Sequence, residues 1–308
     1  MLKINFLLSL GICCVLMLVG SNCSRRETGL LDSVPSGSAA ILIVNWSSVK
    51  NDNDLKLLIN GNEFEEQLRH FNVESTEVNE FAVFSDTSAK VGLLVRGKFD
   101  RRQVAERLKS SGWNEDSVEG TKIYASGSDY AALPQSGVLI AGTREGVLAA
   151  LQTARNSRLS VQNASSFKKI KASMSNGKSP VTAFLIAPEG TLEMADAALS
   201  VTASAMSLFD LGGIGDILKK MNIAGGAGFT ISQGSTNQKY AVNLCILMRD
   251  EQSALVAAGA LNMMKTLSAI AKTNDAANLQ NFDFTRQEKV LSIEMEMPSQ
   301  ALMPPNRN

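Results

Sequence analysis

The sequence predicts an α+β fold: mostly antiparallel sheets covered by helices, arranged as two repeats of β-α-β-β-α-β-β(-α). Three observations carry this reading. Short apolar runs, many of them rich in β-branched residues, come in pairs around polar turns, as hairpins do. Segments with apolar residues at helical spacing separate those pairs. The order of elements in residues 39–157 then recurs in 180–304: "AILIVNW" matches "VTAFLIA", "EFAVFSD" matches "GAGFTIS", "KVGLLVRG" matches "AVNLCILM", and "DRRQVAERL" matches "DEQSALVAAGAL". Hairpins with one apolar face need helices to cover that face, which gives the pattern its physical sense.

The first strand is "AAILIVNW" at 39–46. A helix follows, started by Asn and Asp, with Leu55, Leu58 and Ile59 and then Phe64, Leu68 and Phe71 at helical spacing; Gly61 breaks it into two pieces. "EFAVFSD" and "KVGLLVRG" form a hairpin. Asp100 caps a helix whose Val104 and Leu108 face inward, and Gly112 stops it. "TKIYASG" and "GVLIAG" make a strand pair, and Thr143 caps the next helix. Residues 158–179, rich in Ser, Asn and Lys, read as a loosely helical connector.

The second half opens with the strand "PVTAFLIAP" and an Ala- and Met-rich helical stretch near 190–221. Met194, Ala198, Val201, Ala205 and Leu208 share one of its faces. A hairpin leads to a helix with a face of Val256, Ala260, Met263, Leu267 and Ile270. Two more strands follow, the last with Leu291, Ile293, Met295 and Met297 on one side, and "PSQALMP" starts a short final helix.

The N-terminus reports location. "MLKINFLLSLGICCVLMLVG" has Lys3 and then an uncharged apolar run to Val19, the layout of a secretory signal over residues 1–22. The run is short for a bilayer span, which takes about 20 residues. Three readings stay open: lipidation at Cys23, cleavage after Ser21, and an uncleaved anchor flanked by Arg25 and Arg26. The first draws on similarity to the bacterial lipobox, in which small residues precede a cysteine that becomes the lipidated N-terminus. Here Gly20, Ser21 and Asn22 precede Cys23; Gly20 and Asn22 depart from the usual residues. The similarity implies a fatty-acylated Cys23, with residues 23–38 as anchor and tether, and Ser24 permitting transfer to an outer membrane facing the periplasm.

A second resemblance covers most of residues 30–155 and weakens afterward. "LLDSVPSGSAAILIVNWSSV", "LVRGKFDRRQVAERLKSSGW", "GTKIYASG" and "GVLIAGTREGVLAAL" resemble a group of bacterial envelope proteins of unknown function, secreted or lipid-anchored, with an "LxxVP" opening and a "GxFD" hairpin exit. It implies an envelope location and no particular activity.

Reactive constellations are scarce. The 30 basic and 30 acidic residues balance, so the domain-scale basic excess of a nucleic-acid binder is missing. His70 is the only histidine, and with Cys13 and Cys14 in the leader, only Cys23 and Cys245 remain for zinc or a disulfide. "NGKSP" lacks the earlier glycine and following helix of a phosphate loop, and "LGGIGD" and "AGGAGF" lack the strand-Gly-helix order of a dinucleotide site. Glu63, Glu65 and Glu66, and Glu115 with Asp116, read as solvated faces, and Cys245 as a buried hydrophobe. The expectation is a lipid-anchored envelope protein, not an enzyme and without a cofactor, that serves as an interaction or scaffold module for an envelope partner. The alternative is a carrier or sensor of an apolar ligand, lined by Met194, Val201, Leu208, Met263 and Leu267.

Overall fold

The computed structural model describes residues 29–174, 179–186, 226–236, 239–271 and 282–298, apart from positions 87, 89 and 119 and the side chains at 264 and 267–271. The signal, Cys23, the stretch near 190–221 and the final "PSQALMP" after its Pro298 lie outside the described residues.

The first half supplies β1 (Ala40–Val44), β2 (Val78–Ser85), β3 (Val91–Gly97), β4 (Asn114–Val118), β5 (Thr121–Ser126), β6 (Asp129–Gln135) and β7 (Val138–Gly142). The second half supplies β8 (Val181–Ile186), β9 (Gly226–Gln233), β10 (Lys239–Leu247), β11 (Phe282–Gln287) and β12 (Val290–Pro298). The helices are α1 (Trp46–Val49), α2 (Asn53–Leu58), α3 (Gly61–His70), α4 (Arg101–Ser110), α5 (Arg144–Arg155), α6 (Ser165–Ser173) and α7 (Glu251–Ala271).

The two-repeat expectation is overturned. All twelve strands of the described residues belong to one antiparallel sheet, ordered β11-β12-β10-β9-β8-β1-β2-β3-β7-β6-β5-β4. The halves join where β1 pairs with β8, in register from Ala40 opposite Leu185 to Val44 opposite Val181. The physical reason is edge chemistry: alone, each half would expose an apolar strand with unpaired backbone groups. Among the described residues the halves also differ in strand number: β4 and β6 are not expected from the sequence and have no counterparts in the second half. β4 is polar from Asn114 to Ser117, with only Val118 half-buried, and forms the outer edge, where charge is tolerated. β6 contains Pro134, which sits where its pairing with β7 shifts register between Ala132 and Gln135.

Helices cover both faces. On one face lie α1–α4 and α7. Trp46, Phe64 and Phe81 pack together there, with Phe64 stacked on Phe81 at 3.8 Å. On the other face, α5 and α6 cover Ile41, Phe84, Leu94, Ile140 and Phe184. Residues 29–38, read from sequence as tether, already belong to this layer: Leu30 and Val34 are buried, and Val161 donates its amide to the Val34 carbonyl at 2.8 Å. The connector contributes α6, whose Phe167 and Ile170 are buried. α6 lies so close to the sheet that a Cβ on Gly228 would come within 2.6 Å of Ile170.

The local signals correspond to observed contacts. The Asp100 carboxylate accepts from the Arg102 and Gln103 amides, and Thr143 Oγ1 accepts from Gly146. Gly112 ends α4 with φ +86°, a left-handed conformation that glycine adopts without strain. The break before α3 falls at Asn60, also left-handed at φ 53°. One further bond ties the halves together: Tyr240 on β10 donates its hydroxyl to both carboxylate oxygens of Asp52, at 2.7 and 2.8 Å. Asp52 also caps α2. Burial, and then the Asp52 carboxylate, push the Tyr240 phenol above its ordinary value, so it remains a donor at neutral pH.

Candidate functional site

Three places on the described surface carry chemistry or contact area that folding alone does not account for. The first is α7. Its sheet-facing residues are Ala254, Ala257 and Leu261, packed on Leu244, Ile246, Phe282 and Ile293. Of the face named from the sequence, Val256 and Met263 point to solvent, at 53% and 64% exposure, with Leu255 beside them at 53%. Alanines at 254 and 257 let the helix settle close to the sheet, which turns its larger apolar residues outward. Lys265 closes the edge of the sheet, donating to the Phe282 carbonyl and pairing with Asp283, both at 2.9 Å.

The second is an open groove of about 650 Å³ between α3 and strands β1–β3. Leu42, Phe64, Phe81, Val83 and Leu93 give it an apolar floor, and Glu63, Glu66, His70 and Asp129 stand on its rim. His70 Nε2 lies 3.1 Å from Asp129 Oδ2, and the His70 ring packs beside Phe71 and Trp113. Among the described residues that line this groove there is no serine, threonine, cysteine or lysine beside the His–Asp pair.

The third is a polar groove of about 640 Å³ on the opposite face, over β9, β10, β12 and β11. Asn243 donates to Glu294 Oε1 at 2.7 Å. Glu296 accepts from the Ser235 amide at 2.8 Å and the Ser235 hydroxyl at 2.9 Å, and Lys239 lies 3.7 Å away.

The remaining candidates are structural. Cys245 is buried and donates its thiol to the Ser173 carbonyl and to Asn243 Oδ1, each at 3.2 Å. Burial pushes that thiol up in pKa, away from reactive thiolate. Glu115 pairs with Lys109 and Lys122, and these cations, Lys109 first, hold its carboxyl below the ordinary range. Glu65 pairs with Lys56 at 3.0 Å. Among the described residues, no group of three or more His, Cys, Asp or Glu is placed to hold a metal ion, and no helix is long and apolar enough to cross a membrane.

Of the residues expected to line an apolar site, Met263 is on the outer face of α7, Leu267 belongs to α7 with its side chain outside the described set, and Met194, Val201 and Leu208 lie outside it altogether. Sequence reasoning missed the His70–Asp129 pair because Asp129 opens β6, the strand it did not find. It missed the polar groove because that groove depends on strand register across β8–β12.

No family model and no curated protein matches the chain. Solved structures do resemble it. Crystal form IV of TP0453 gives a TM-score of 0.50 at 13% identity, over 92% of this chain and 98% of that one. Form III gives 0.49 at 13% identity over 90% and 97%, and form I gives 0.46 at 12% over 91% and 96%. At this identity, the likeness to form IV is one of fold alone.

Proposed function

We propose that the chain is an envelope lipoprotein, held to a membrane through lipid on Cys23, that acts as a non-enzymatic interaction module. The observation that carries this is the outer face of α7. Leu255, Val256 and Met263 are more than half exposed on a helix whose core contacts are already made by its other side. Fully burying a side chain of this kind is worth about 1.5–3 kcal/mol, so a protein partner with a complementary apolar stripe would gain most of its binding there. Anchoring confines the partner search to the envelope.

The carrier reading has its own support in the apolar groove beneath α3, which an apolar ligand of modest size would fit. One experiment separates the two. A photo-cross-linking amino acid is placed at position 263 and, as control, at the exposed polar position 103 on α4, in intact cells. The module reading expects a discrete protein adduct from 263 only, lost when Cys23→Ala releases the chain from the membrane. Scattered background from 263, or equal adducts from both positions, would sink it.

A further inference from the structure

One row of residues crosses the sheet on the face that carries α5 and α6. In the first half it reads Ile43, Ala82, Leu94, Ile140. Across the β1–β8 junction the same row becomes Thr182, Thr230, Asn243, Glu294, Asp283. The outer members Glu294 and Asp283 are exposed, but Thr230 and Asn243 are buried, and burying polar groups costs stability unless each is paired. Here the pairing is incomplete. Thr230 is 4% exposed, yet its hydroxyl has no hydrogen-bond partner among the described residues. The hydroxyl is not sealed off from the surface, and Thr230 lines the polar groove.

The charges of the groove narrow the ligand. Lys239 and Ser235 occupy Glu296, and Lys265 occupies Asp283. Glu294 has no cationic partner among the described residues; only the Asn243 amide holds it, over the middle of the row. Thr230, Asn243 and Glu294 are opposite one another on β9, β10 and β12, so the outer two Cα positions stand about 10 Å apart. Glu294 and Thr230 thus flank Asn243, two strands apart on one face of the sheet.

We propose that this groove binds a small organic ammonium ion with a neighbouring hydroxyl, an amino alcohol or 2-amino sugar. The ammonium rests on Glu294, the hydroxyl bonds to Thr230, and the Asn243 amide lies between them. The Cys245 thiol beneath supports Asn243 and takes no part in binding.

The test uses isothermal titration of the full chain in neutral detergent, with glucosamine, ethanolamine, N-acetylglucosamine and propylamine as probes. Saturable binding of glucosamine or ethanolamine is expected. Acetylation of the amine, or Glu294→Gln, weakens it at least tenfold. Thr230→Val weakens the hydroxylated amines about fivefold and leaves propylamine unchanged. Glucosamine and N-acetylglucosamine binding equally, undiminished affinity in Glu294→Gln, or no saturation by either hydroxylated amine would each overturn the proposal. The ligand series tests charge without any substitution, so the result does not depend on how a variant folds.

Discussion

Trp46→Ala is expected to cost about 3–5 kcal/mol of unfolding free energy, the range for emptying a large aromatic site in a core. Trp46 is wholly buried, and its contacts explain the size of the effect. The Phe64 ring meets it edge-on at 5.0 Å and Phe81 lies at 6.2 Å. Its indole Nε1 donates to the Ser75 carbonyl at 3.1 Å, so truncation also removes the partner of a half-buried acceptor. The surroundings have little freedom to collapse into the space, because α3 starts hard against the ring: a Cβ on Gly61 would be 3.3 Å from it. Denaturant titration followed by circular dichroism measures the loss. A change below about 1 kcal/mol would mean that α1 and α3 do not close over the sheet as described.

Ala183→Pro is expected to be comparably severe, on the order of 3 kcal/mol or more, and to act on both halves at once. Ala183 lies in the middle of β8, opposite Leu42 on β1 and Phe229 on β9. Proline there removes a ladder donor from an interior strand and crowds the junction that joins the halves. The parent protein should unfold as one unit. Tryptophan fluorescence, which reports on Trp46 and Trp113 in the first half, and thiol exposure at Cys245 in the second should change together. Two separate midpoints in the parent would contradict a single continuous sheet.

The elements of this fold were more legible than their assembly. Strands such as "AILIV" and "VGLLVRG" announce themselves by β-branched and apolar runs, and Asp100 and Thr143 by the capping chemistry of the next two amides. β4 escaped notice because an edge strand needs no apolar face, and β6 because Pro134 breaks the pattern. Strand order was not readable at all: a matching sequence of elements does not say which edges meet. The pairing of β1 with β8 is decided by backbone groups that every residue carries. The outward face of α7 is a related failure. The helix has apolar residues on both sides, and the smaller alanines won the core by allowing closer approach. The candidate sites inherit these limits. His70 and Asp129 are 59 residues apart, and the Thr230–Asn243–Glu294 row spans three strands.

The central functional claim is that the protein works from a membrane, tethered by lipid at Cys23, and its most direct test is metabolic labelling with a fatty-acid tracer. The parent chain should carry the label, and Cys23→Ala should lose it while keeping the same circular dichroism melt. Undiminished labelling of the variant, or no label on the parent, would contradict the account.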